Sequence, residues 1–213
     1  MTYLEIVNKV LRRLRENEVT TVNETPYSKL IGDLVNVVKV EIEDSWTWSA
    51  LRTTIPVTTS SSVYNYTLTG SGTKLKVLDV TNDTEEWFIE NQTSHWFTQQ
   101  FLVANVQTSA PSYYNFNGVD SNGDTKVDFF PIPDGVYTIS FKCVIPQAEL
   151  TTDSTRILIP ANLLVEGALA RAISERGDDG GYVEQEQRYR NLASDLIAVE
   201  ASHRFSETIW MPV

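Results

Sequence analysis

One cysteine, Cys143, stands among the 213 residues, so no internal disulfide can staple this chain. Its place in a strand pattern fits a packed small hydrophobe better than a nucleophile. Histidine is nearly as scarce, and His95 and His203 lie in unlike contexts. None of the patterns H-E-x-x-H, C-x-x-C, G-x-S-x-G or G-x-x-x-x-G-K-[ST] occurs, and no catalytic, metal-binding or cofactor residue is expected. No apolar run is long enough to span a bilayer. The opening MTYLEIVNKVLRRLREN lacks the apolar core and the small-residue cleavage site of a secretion signal. Bases are few: 17 Lys and Arg stand against 28 Asp and Glu, for a net charge of −11. Phosphate affinity comes largely from Lys and Arg releasing counterions, so this is a poor general ligand of nucleic acid, though it can surround DNA without gripping it.

Three acidic groups remain to be weighed. Asp120-Ser121-Asn122-Gly123-Asp124 looks like a calcium loop but lacks the glycine after the third ligand and the terminal glutamate. Asn122-Gly123 between strands reads as a type I′ turn instead. Glu41, Glu43 and Asp44 have no partner base or metal pattern and read as a solvated acidic face. Glu85, Glu86 and Glu90 supply carboxylates for a glycosidase, but no pair flanking a cleft can be located.

What is present is pattern. Residues 2–16 predict a helix: Thr2 and Glu5 form a T-x-x-E capping box, and Leu4, Val7, Val10, Leu11 and Leu14 recur at helical spacing. Lys9, Arg12, Arg13 and Arg15 lie largely off that stripe, as either a solvated face or a contact with an acidic neighbour. A second helix is expected from Pro26 to Trp46, with Thr25 as its N-cap. Leu30, Ile31, Leu34, Val35, Val38 and Ile42 mark its buried face, and Val37 and Val40 predict packing on a further side. Trp46 and Trp48 are expected to wedge between layers.

From Arg52 the chain turns to short strands between turn residues. Pro56 puts the first at a sheet edge. Phe129-Phe130, the Pro131–Gly135 turn and the alternation of Tyr137, Ile139, Phe141 and Cys143 predict a closing hairpin. Thr93 to Val103 predicts a short helix. Residues 91–119 hold 29 residues without Asp, Glu, Lys or Arg. Trp96, Phe97, Phe101, Tyr113 and Tyr114 fall there, the composition of an interface core or of a buried strand set.

Helices return after Pro160. Ala161 to Arg176 is rich in small residues, and Tyr182 to His203 places Tyr182, Gln185, Tyr189, Leu192, Leu196, Val199 and His203 on one seam. The expected class is α+β: an antiparallel helical bundle of residues 1–50 and 156–203, an inserted antiparallel β-domain of residues 51–155, and an extended tail of residues 204–213.

The stretch FFPIPDGVYTISFKCVIPQAELTTDSTRILIPANLLVEGALARAISERGDD resembles a segment of head-to-tail adaptor proteins of short-tailed bacteriophages. There a strand ends in a P-x-P-[DN]-G turn, a strand with Tyr and Phe follows, and an Ile-Pro opens a small-residue helix. YLEIVNKVLRRLRENEVTTV and VEIEDSWTWSALRTTIPV look like the same family. The first helix leaves through Asn17-Glu18-Val19 where the family has a glycine turn, and residues 91–119 fall outside the likeness.

The resemblance implies a ring-forming virion protein at the head–tail junction, made in the host bacterial cytoplasm. A dodecamer is expected, with the helices as ring wall. Its partners would be the portal protein, the tail nozzle protein and tail fibres, around passing DNA that is not specifically bound; no membrane, cofactor or enzymatic activity is implied. The apolar tail needs a groove: Arg204, Phe205, Ile209, Trp210, Met211 and Val213 are the portal-docking candidates, unless the tail folds back on its own chain. Trp96, Phe97, Phe101, Tyr113 and Tyr114 are the candidates for a subunit or tail interface. The rival reading is a glycan- or receptor-binding accessory domain of a phage tail, built on the Tyr, Trp and Asn of the β-region.

Overall fold

A computed structural model describes residues 1–177 and 181–202. The chain forms two compact units, Met1–Leu51 with Gln147–Val213, and Arg52–Pro146.

In the first unit the helix starts lie where local chemistry puts them. Helix α1 (Tyr3–Arg13) opens on a capping box: the Thr2 hydroxyl accepts from the Glu5 amide at 3.3 Å, and the Glu5 carboxylate accepts from the Thr2 amide at 2.9 Å. It ends three residues earlier than its pattern suggests, because Leu14 caps it and Arg15 turns left-handed. No glycine marks that exit. The Asn8 side chain holds it instead, donating to the Val19 carbonyl and accepting from the Val19 amide, both at 2.9 Å. Helix α2 (Pro26–Ser45) opens with Thr25 bonded to Ser28 and proline in its first turn. It ends where the buried Trp48 indole donates to the Ile42 carbonyl at 2.7 Å, satisfying a terminal acceptor.

Helix α4 (Ala161–Arg176) is buried almost all round, by Leu163, Leu164, Val165, Ala168, Leu169, Ala170 and Ala172. Gly167 is obligatory: a Cβ there would stand 2.6 Å from Val38 and 2.9 Å from Tyr189. That is the point where α2 and helix α5 (Tyr182–Ser202) meet α4. The expected α5 seam forms only at its centre. Gln185 is buried and Tyr189, Leu192 and Leu196 half-buried, while Tyr182 and Val199 are exposed; His203 lies outside the described residues.

Between the units' second crossing and α4, residues 147–160 run across the helices by hydrogen bonds. The anchor is a buried ion pair on α2. Glu43, expected on a solvated acidic face, is 3% exposed, and Lys39 is 1% exposed. Lys39 Nζ lies 3.0 Å from Glu43 Oε2 and donates to the Gln147 carbonyl at 2.5 Å, while Glu43 accepts from the Gln147 amide at 3.2 Å. Further on, the Asn36 amide brackets Leu150 as Asn8 brackets Val19. The Asp153 and Thr155 carbonyls accept from the Leu4 and Tyr3 amides, orphans of the first α1 turn.

The second unit is two four-stranded sheets. Strands β1 (Arg52–Thr58), β8 (Thr138–Val144), β3 (Lys76–Asn82) and β4 (Trp87–Phe88) make one in that order. Strands β2 (Asn65–Thr67), β7 (Thr125–Phe130), β6 (Tyr113–Val119) and β5 (Glu90–Asn91) make the other. Pro56 does sit on an edge strand, β1. Val57, Leu68, Val80, Ile89, Val127, Phe129, Ile139 and Phe141 form the core. Helix α3 (Ser94–Phe101) lies against β6.

Three expectations about the strands change. The pairing is antiparallel except for β5 with β6, which run parallel. The Pro131–Gly135 turn does not close a hairpin, because β7 and β8 belong to different sheets. Strand β8 is instead central, with β1 on one side and β3 on the other, so its two rows of backbone groups are already taken. The real hairpin is β6–β7, and its turn is not type I′, since only Gly123 is left-handed there. The Asp120 carboxylate organises it by accepting from the amides of Asn122 at 2.8 Å and Asp124 at 2.9 Å.

Removing one partner of a buried ion pair strands the other charge in low dielectric. Glu43→Ala is therefore expected to cost about 3–5 kcal/mol, whereas Lys39→Met with Glu43→Leu should recover part of that loss, since it removes the stranded charge but leaves the Gln147 carbonyl and amide without these partners. Urea unfolding followed by helical circular dichroism checks this; equal losses from the single and double variants would contradict it.

Candidate functional site

The aromatic candidates of the second unit come together, with one exception. Trp96 lies 4.9 Å from Tyr113, 5.4 Å from Phe97 and 5.3 Å, edge-on, from Phe130. Phe97 and Phe101 also contact Phe130, and Tyr64 covers Phe101 at 4.8 Å. Tyr114 points elsewhere, against Phe116 and Phe141. Phe97 and Tyr114 are buried, and Trp96, Phe101 and Tyr113 half-buried. The rings thus spend most of their surface on one another, joining α3 to its sheet. What they leave to solvent is the end of α3, where Leu102 is 78% exposed beside Val103. Phe88 is 65% exposed on the short edge formed with Trp87. Sequence reasoning named the rings but missed these flanking aliphatics and Phe88, whose only signal was hydrophobicity at a turn or strand end.

The first unit carries a second apolar surface. Leu30, expected inside, is exposed, as are Val37 (52%) and Val40. Spacing explains this: residues 30, 33, 37, 40 and 44 follow one side of α2, opposite Ile31, Val35, Val38 and Ile42, which face its neighbours. Val37 and Val40 were expected to pack on a further side, and within the described chain they stay 52% and 43% exposed.

On α1 the basic residues flank a depression of about 390 Å³, lined by Lys9, Arg12, Arg13, Asn162, Val165 and Glu166. One of its charges is fixed. Arg13 lies 2.5 Å from Glu166, and Gln185 donates to the other Glu166 oxygen at 2.5 Å, which ties α1, α4 and α5 together. Burial works to raise the Glu166 carboxyl, but the bonds from Arg13 and Gln185 outweigh it and hold it below its ordinary value. Among the described residues Arg12 pairs with the exposed Glu18.

The remaining candidates carry little chemistry. Cys143 is buried and its Sγ lies 3.6 Å from the Thr53 carbonyl; burial pushes the thiol up, away from thiolate. Glu85, Glu86 and Glu90 are all exposed, on a turn and an edge strand. Among the described residues no cluster of His, Cys, Asp and Glu could hold a metal ion. No described helix is long and apolar enough to cross a membrane. Arg204, Phe205, Ile209, Trp210, Met211 and Val213 lie outside the described residues.

Comparison with known proteins bears on what such surfaces serve. The family model described as SU10 adaptor protein matches residues 1–209. That span includes residues 91–119, where the sequence by itself offered no likeness. No curated protein matches the chain.

Two outcomes follow. Phe97→Ala should cost about 3–5 kcal/mol as a buried aromatic truncation, while Leu102→Ala should stay within about 0.5 kcal/mol; chemical denaturation of both checks the contrast. Because the Glu166 carboxyl is lowered in the folded state, its contribution is full above its ordinary value of 4.5 and is lost as pH falls through the lower folded value. The stability gap between wild type and Glu166→Gln should therefore close on acidification below that point, and a gap unchanged with pH would contradict the assignment.

Proposed function

The chain belongs to the SU10 adaptor protein family, and on that premise we propose that it is a structural protein of a bacteriophage virion, a head-to-tail adaptor. In this reading copies of the chain form a ring between the portal and the tail nozzle, and the ring surrounds the DNA channel. The family match over residues 1–209 carries the reading, because it runs through both compact units. Two features support it. An adaptor must be held on several sides, and the exposed stripe of α2 and the exposed end of α3 are apolar surfaces left over after each unit has filled its own core. A strongly acidic chain also suits a ring through which DNA passes, since it repels phosphate and does not retain it.

The helical unit is the proposed ring wall and the β unit the part turned toward tail components. The last ten residues are the proposed portal clamp, with Phe205, Ile209, Trp210 and Met211 as apolar anchors and Arg204 and Val213 flanking them.

Light scattering of the protein alone, with its portal protein, and after deletion of residues 204–213 tests this. A portal-dependent ring that is lost with the tail is the expected result. Association that survives the deletion moves portal docking to the helices, and no association with the portal contradicts the adaptor reading.

A further inference from the structure

Between β4 and β5 the chain passes from the edge of one sheet to the edge of the other, and a single residue, Ile89, makes the crossing. Ile89 is buried in the core, and its amide donates to the Val80 carbonyl at 2.9 Å; the Glu90 amide donates to the Ser112 carbonyl at 3.1 Å. With Ile89 turned inward, Phe88 and Glu90 on either side of it turn outward, since alternate residues of an extended chain share a face. They border a depression of about 220 Å³ lined by Trp87, Phe88, Glu90, Ser112 and Tyr113. Two of its walls are held in place from behind. The Trp87 indole N–H donates to the Pro111 carbonyl at 3.1 Å, and the Tyr113 ring rests on Trp96 at 4.9 Å. Phe88 makes no ring contact with a described aromatic and stays 65% exposed.

Charge along this stretch has one sign. Residues 77–125 contain no Lys or Arg. Glu85, Glu86 and Glu90 are exposed there, and none of them is ion-paired with a described residue. Three aromatic side chains around an unpaired carboxylate make a poor site for an anion and a good one for a flat cation, which stacks on the rings and donates two parallel N–H bonds to the carboxylate. A guanidinium does both, whereas an ammonium is a compact, strongly hydrated point charge without a plane to stack. We propose that this depression is a docking site for an arginine side chain of a partner protein, with Trp87, Phe88 and Tyr113 against the guanidinium plane and Glu90 accepting its N–H groups. The site needs neither ring nor portal; to the adaptor reading it adds what a neighbour of the β unit presents.

Proton–nitrogen NMR of the full chain, titrated with the peptide acetyl-Arg-Arg-Arg-amide, tests it, beside acetyl-Lys-Lys-Lys-amide of equal charge and methyl glucoside. Saturable shifts at the Trp87 indole N–H and the Glu90 amide are expected, with the arginine peptide binding about tenfold more tightly than the lysine peptide. Glu90→Gln and Phe88→Ala, both at exposed positions, should each weaken arginine binding about three- to tenfold, while Glu184→Gln, at an exposed acid on α5, should leave it unchanged. Equal binding of the two peptides, insensitive to Phe88→Ala, means general attraction to an acidic chain and overturns the proposal. The same indole shift with methyl glucoside and not with the arginine peptide makes this a sugar subsite and also overturns it. So does the absence of any shift there at millimolar peptide. A chain that binds the arginine peptide here yet does not associate with its portal removes the adaptor reading and leaves this site standing.

Discussion

The helical unit is built from two pieces of chain separated by a whole second unit, and one buried interaction rejoins them. Lys39 and Glu43, one turn apart on α2, hold the Gln147 backbone by its carbonyl and its amide. Gln147 then passes the constraint on: its side chain donates to the Arg156 carbonyl at 2.8 Å and accepts from the Leu158 amide at 3.2 Å. Closing so long an excursion has an entropic cost that grows slowly with length, so a few well-placed bonds suffice to hold it. Burying two charges is expensive, and a hydrophobic pair would avoid that cost but would leave the Gln147 carbonyl and amide without these partners. What the ion pair adds is direction, since a donor and an acceptor in this order match the carbonyl and the amide of one residue, Gln147.

That closure sets where α4 begins, and α4 sets the rest. A helix buried on nearly all sides needs neighbours on nearly all sides, and α1, α2 and α5 supply them. Each spends one face on α4. The faces left over differ: α1 keeps bases, α2 keeps the exposed Leu30, Val37 and Val40, and α5 keeps a polar surface with Val183 and Val199 standing out.

Much of this could be read in the sequence, for local reasons. Capping at Thr2 and Thr25, the proline opening of α2, the break at Gly177 and the edge position of Pro56 are set by neighbouring residues, and each was visible. Lys39 and Glu43 were missed because their partner is more than a hundred residues away, although the i, i+4 spacing of a Lys and a Glu on α2 was a signal. Leu30 was misplaced because three apolar columns on α2 cannot all face one core, and sequence does not say which is left out. The hairpin was misread because a turn fixes chain direction and not pairing, and β8 finds both partners elsewhere. The rings of residues 91–119 were read either as interface or as core; Phe97 and Tyr114 proved to be core, and the surface proper passed to Leu102, Val103 and Phe88.

The central claim is that this acidic α+β chain works as a repeated subunit around a channel. Electron microscopy of the particle it forms with its portal protein tests that most directly. The account predicts annular views with an open centre, seated coaxially on the portal, with one copy of the chain per repeat. Particles that bind the portal as isolated copies at its rim, with no closed ring, would contradict it.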